Sequence, residues 1–137
     1  MRIQCITENI DQEIRKGLIA PHDGRELELM LAGEKPTALV ANIGKFRYDI
    51  AHKNISLIGK LGKNRYVVSL PNKEKQGREL LKAFKSLLSL FSMKEIGEYR
   101  NPDDLAKLKI LHYKIGSLLG YPRKSIDYFI KTRLRNT

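Results

Sequence analysis

The spacing of apolar positions changes character along this chain and divides it into three regions. From residue 73 onward, apolar residues recur at helical intervals. Leu80, Leu81, Phe84, Leu87, Leu88 and Phe91 form one stripe, which predicts a helix over about 73–92 capped by Asn72, with Arg78, Lys82 and Lys85 on its opposite face. Gly97 breaks the pattern. Asn101-Pro102-Asp103-Asp104 then offers a cap, a proline at the first helical position and acids against the helix dipole. The second helix runs to about Leu119 with Leu105, Leu108, Leu111, Ile115, Leu118 and Leu119 inward, and a third spans about 123–134.

Between 37 and 70 the chain is β-branched and alternating instead. TALVANI (37–43), FRYDIAH (46–52), ISLIGKL (55–61) and RYVVSL (65–70) read as strands. In FRYDIAH, Phe46, Tyr48 and Ile50 alternate with Arg47, Asp49 and Ala51. Short links at Gly44-Lys45, Lys53-Asn54 and Gly62-Lys63-Asn64 predict an antiparallel meander of three or four strands, and Pro71 stops it. Ahead of it, RIQCI (2–6) reads as a short strand or an apolar lead-in. Asn9 or Asp11 caps a short helix over 11–18. Pro21-His22-Asp23-Gly24 is a turn, Asp23 caps a helix over 24–32, Gly33 ends that helix, and Lys35-Pro36 leads into extended chain.

These elements predict an α+β fold: a 3–4-stranded antiparallel meander over about 37–70, a long amphipathic helix and a C-terminal helical pair. At 137 residues the chain fits one domain, 1–137, with a mixed α/β part over 1–71 and an all-α basic part over 72–137. Hydrophobic residues make up 42%, enough for a core. No apolar run approaches the ~18 residues that span a membrane, which points away from a membrane partner. The opening residues have early acids and no apolar stretch of a signal peptide, and the single cysteine, Cys5, sits in an apolar run. Both predict a cytoplasmic protein with a buried, unreactive thiol.

Charge sharpens the functional reading. Residues 1–40 carry five Lys/Arg against seven Asp/Glu, a net of −2, and residues 41–137 carry 21 against eight, a net of +13. A positive field confined to the C-terminal two-thirds predicts a polyanionic partner, although a lysine-rich surface also serves solubility. The same region holds IGSLLGYPRKSIDYFIKTRLR (115–135), whose spacing fits a helix-turn-helix. Gly116 lets two helices cross closely, Gly120 ends the first, Tyr121 packs in the corner, and Pro122 opens the second. Ile126, Phe129 and Ile130 face inward. Pro122, Arg123, Lys124, Asp127, Tyr128 and Lys131 face outward, a cationic and hydrogen-bonding surface of the kind that meets a major groove.

The sequence HYKIGSLLGYPRKSIDYFI (112–130) also resembles the H-Y-x-x-G-x-L-L-G-Y-P-x-C-C-I-x-x-F segment of an uncharacterised, largely archaeal family, domain of unknown function 483. His112, Tyr113, Gly116, Leu118, Leu119, Gly120, Tyr121, Pro122, Ile126 and Phe129 match. The paired cysteines are Lys124 and Ser125 here, so no thiol or metal role carries over. The resemblance implies no activity.

The expected function is therefore nucleic-acid binding, with duplex DNA ahead of RNA, as a transcription regulator and a homodimer. Arg123, Lys124, Tyr128 and Lys131 are the expected readers, with Arg133 and Arg135 on phosphate and Lys82 and Lys85 as further phosphate contacts. Three alternatives accompany it. Lys45, Arg47, Lys53, Lys60, Lys63 and Arg65, interleaved with Phe46, Tyr48 and Tyr66, could bind RNA on a basic sheet, although alternation turns the aromatics to the core. His22 and Asp23, with Glu26 and Glu28 near in sequence, could begin a metal or acid–base site of an enzyme acting on an anionic substrate. A turn with a capping aspartate accounts for the same pair. A protein-interaction module with an acidic partner is the third. No phosphate loop, nucleophile elbow or zinc spacing is present, so the sequence predicts no cofactor and no metal and puts a binding protein ahead of an enzyme, a catalytic site built from dispersed residues being left open.

Overall fold

A computed structural model of the chain describes residues 21–22, 24–95 and 102–133. Cys5, the expected elements at 2–6 and 11–18, the caps at Asp23 and Asn101, Gly97 and Arg135 lie outside the described residues.

The fold is α+β, with a three-stranded antiparallel sheet and five α-helices among the described residues. Helix α1 (Glu26–Leu31) precedes strand β1 (Thr37–Val40). Helix α2 (Arg47–Ala51) follows, then the hairpin of β2 (Ser56–Leu61) and β3 (Arg65–Ser69). Helices α3 (Glu74–Glu95), α4 (Pro102–Leu118) and α5 (Arg123–Arg133) complete the described residues. The three long helices fall where their apolar periodicity predicts them, and Pro102 is the first residue of α4.

Two expectations for the sheet region are corrected. First, FRYDIAH is not a strand: Ile43–Phe46 forms a 3-10 turn that passes into α2. Phe46 and Ile50 share the inward side at a four-residue helical interval, Phe46 being 3% exposed, while Tyr48 between them is 68% exposed. An alternating pattern this short satisfies one helical turn as well as a strand. Local bonds decide the matter. The Asn42 side chain accepts from the Gly44 amide at 3.0 Å and starts the turn, and Asn54 donates to Asp49 at 3.0 Å beyond its end. Second, the strand order is β1-β3-β2, so the sheet is not a meander in chain order. β3 is central. It pairs with β2 through the hairpin and with β1 on its other side, Thr37 facing Ser69 and Val40 facing Tyr66. Removing one strand from the chain lets β1 reach past the hairpin to β3.

Both faces of the sheet are covered. Ala38, Val40 and Val68 meet Met30, Phe46 and Ile55 on the side of α1 and α2. Val67 belongs to one buried cluster with Leu80, Ala83, Leu87, Leu90, Leu108, Ile115 and Leu119 on the side of α3 and α4, with Leu39, Ile58, Phe84 and Tyr121 packed against it. α3 lies very close to β2. A Cβ on Gly59 would come within 2.7 Å of Leu81, and one on Gly77 within 2.6 Å of Ile58. α4 packs on α3, and α5 packs on α4, so the terminal helical pair is carried by the sheet through α3 and through one fixed corner.

Candidate nucleic-acid interface

The corner between α4 and α5 is built from the residues that the sequence singles out. Gly120 has φ +80°, the left-handed conformation that ends α4. The Tyr121 amide donates to the Gly116 carbonyl at 3.0 Å and the Gly120 amide to the Ser117 carbonyl at 3.1 Å, which satisfies the last turn. The Pro122 carbonyl receives the first amide bonds of α5, from Ser125 and Ile126, so the proline stands at the capping position, one residue before the helix. Gly116 is where the helices cross: a Cβ there would lie 2.6 Å from Ile126 Cγ1. Ile126 is buried, Phe129 and Ile130 are half-buried, and the His112 and Phe129 rings meet at 4.9 Å between centroids. Burial pushes the His112 imidazole below its ordinary pKa.

A second set of contacts pins this corner to the sheet. Thr37 Oγ1 at the head of β1 donates to the Leu118 carbonyl at 2.6 Å. Lys35, two residues earlier, has 0% exposure, and its Nζ donates to the Leu119 carbonyl. A lysine ammonium and a threonine hydroxyl thus satisfy carbonyls that a helix end leaves without amide partners. Nζ also lies 3.0 Å from His22 Nδ1 and 4.8 Å from the centre of the Tyr121 ring, and the His22 ring meets Tyr121 edge-on at 4.8 Å. Burial holds the Lys35 ammonium far below its ordinary range, at about 7, with the Glu26 carboxylate opposing the shift. Burial, then the positive charges of Lys35 and Arg25, hold His22 at about 4. Neutral His22 therefore offers Nδ1 as the acceptor for the Lys35 ammonium.

The expected site residues fall into separate groups. Arg123, Lys124 and Lys131 are exposed on α5. Arg123 is partly engaged: its Nε is 3.7 Å from Asp127, and its guanidinium lies 5.6 Å from the centre of the Tyr113 ring. Tyr128 is half-buried rather than outward, and its carbonyl accepts from Thr132 Oγ1 at 2.7 Å. Arg133 is the last residue of α5. Lys82 and Lys85 are exposed on α3, and the corner does not bring them to α5. Arg47 lies on α2 and Arg65 at the start of β3, both exposed. Helices cover much of both faces of the sheet, but β2 leaves Leu57 and Lys60 exposed, with the Lys60 ammonium 5.8 Å from the centre of the half-buried Tyr66 ring.

Lys35 and its partners escaped sequence reading. Lys35-Pro36 has the look of a solvated lead into a strand, and the carbonyl that holds Lys35 is 84 residues away. His22 stands in the expected turn, yet its side chain works at the corner. No group of three or more His, Cys, Asp or Glu is placed to hold a metal ion among the described residues, and no helix there is long and apolar enough to cross a membrane. Comparison with protein-family models, with curated proteins and with solved structures finds no match for this chain.

Proposed function

We propose that this chain is a cytoplasmic DNA-binding protein, a transcription regulator that places α5 in the major groove of duplex DNA. The observation that carries the reading is the two-sidedness of α5. Its inner side is fixed by Ile126 against Gly116, while Arg123, Lys124 and Lys131 stand exposed on the other. An 11-residue helix is about 16 Å long, and a major groove about 12 Å wide accepts its cross-section. The net +13 of residues 41–137 supplies the sequence-independent attraction to phosphate. The Arg123–Asp127 pair is exposed and so costs little to open when a guanine or a phosphate competes for the guanidinium. The corner residues carry the resemblance to the archaeal family, and we read that likeness as a shared corner. Association as a homodimer belongs to the same proposal, since paired readers bind half-sites one helical turn apart.

Fluorescence anisotropy with duplex DNA, single-stranded RNA and duplex RNA, over about 50–300 mM salt, tests the reading. Duplex-DNA binding that falls steeply with salt and is lost in the Arg123→Ala/Lys124→Ala double variant supports it. Binding that survives this substitution, or no binding to any of the three, overturns it.

A further inference from the structure

A cleft of about 380 Å³ opens beside the corner, where α1, the sheet and the α4–α5 turn meet. Its size falls within the range of small-ligand sites. Leu39 of β1, Phe84 of α3, and Leu119 and Tyr121 of the corner line it with apolar and aromatic surface. Three charged residues complete the lining: Glu26, Lys35 and Arg65. Lys35 is committed to the Leu119 carbonyl and His22, but the exposed Arg65 guanidinium makes no hydrogen bond or ion pair among the described residues. An exposed guanidinium at the edge of an aromatic cleft has the planar donor fork that receives a carboxylate.

We propose that this cleft binds a small monocarboxylate with an apolar body, the carboxylate held by Arg65 and the body laid against Leu39, Phe84, Leu119 and Tyr121. Charge sets the class. Arg65 is the exposed cation of the lining and Glu26 its one carboxylate, and with burial holding Lys35 at about 7 the lining has positive charge for one carboxylate but not for two, which suits a monoanion and disfavours a dianion. Burial has already made the Lys35 ammonium costly, and an anion in the cleft relieves that cost by raising the proton affinity of Lys35. The apolar lining selects against small hydrophilic acids such as acetate, which leave those walls unfilled. This site is separate from the outward face of α5, and its test contains no DNA.

The test is isothermal titration calorimetry and amide chemical-shift mapping on the full chain, with 3-phenylpropionate, its neutral analogue 3-phenylpropanol, and L-phenylalanine as probes. The expected result is 3-phenylpropionate binding at about 1 mM or tighter, with shifts centred on Leu39, Phe84 and Leu119. Arg65→Gln, at an exposed position, weakens it about tenfold or more, and the alcohol binds weaker than the acid by a similar factor. L-phenylalanine separates the two sources of such acids. Tighter binding than 3-phenylpropionate, with the advantage lost in Glu26→Gln, assigns the cleft to α-amino acids, and weaker binding assigns it to acids without an amino group. No binding at about 10 mM, shifts located elsewhere, or an Arg65→Gln variant that binds as well as wild type overturns the proposal.

Discussion

The α4–α5 corner and the α2 segment are both tight turns of helix at the edge of the molecule, and they are held in opposite ways. α2 is fixed locally, by Asn42 on the Gly44 amide, by Asn54 on Asp49 and by the insertion of Phe46 into the smaller core. The corner is fixed from far away in sequence, by Thr37 and Lys35 on the carbonyls of Leu118 and Leu119, as well as by the Gly116–Ile126 crossing. A segment held by local bonds tolerates change at its surface. A segment held by buried, long-range polar contacts transmits any change to the sheet, because each lost partner leaves a desolvated group behind.

Substitutions break or sharpen that contrast. The largest effect is expected at the helix crossing: Gly116→Val forces a Cβ into the space of buried Ile126 and lowers unfolding free energy by about 2–3 kcal/mol, read from urea denaturation. Next comes Thr37→Val, which keeps the shape but strips the Leu118 carbonyl of its donor, at about 1–2 kcal/mol by the same measurement. An equal loss in Tyr48→Ser would erase the distinction. Tyr48 is exposed on α2, stacked only on His52 at 4.0 Å, and the expected change is within about 0.5 kcal/mol.

A pH titration of stability sharpens the same contrast without altering its packing. The Lys35 proton affinity is depressed in the native chain, from 10.5 to about 7, so over that interval the unfolded chain binds more protons. Stability contributed by this group is present above 10.5 and is lost as pH falls to about 7. His22, depressed from 6.5 to about 4, adds a second loss as pH falls through that lower window. Lys35→Met should flatten the upper slope and, because the Lys35 charge is one of the causes that hold His22 low, shrink the lower one without abolishing it, as measured by thermal unfolding across pH. Retention of the upper slope in that variant would assign it to another group.

What the sequence disclosed follows the same division by range. α3, α4 and α5 were legible because their stripes run over several turns, and the stop at Gly120 was legible because a positive φ there demands that residue. The outward cations of α5 were legible as the complement of its inner side. FRYDIAH was not, because Phe46 and Ile50 fit a period of two and a period of four equally within so few residues. The strand order was closed to local reading for the same reason that Lys35 was. Nothing in the neighbourhood of Thr37 or Lys35 records that β1 passes beyond the hairpin, or that a helix end 81 to 84 residues later supplies their acceptors.

Those two acceptors also set an order of events in time. The β2–β3 hairpin joins residues close in sequence and closes a short loop, a fast step. The bonds from Thr37 and Lys35 cannot form until the chain as far as residue 119 is available, because they close loops of more than eighty residues. During synthesis the sheet region emerges first and its buried lysine waits for a helix that has not yet been made. The clasp on the corner thus closes after the hairpin, and its closure ties the first described strand to the end of α4.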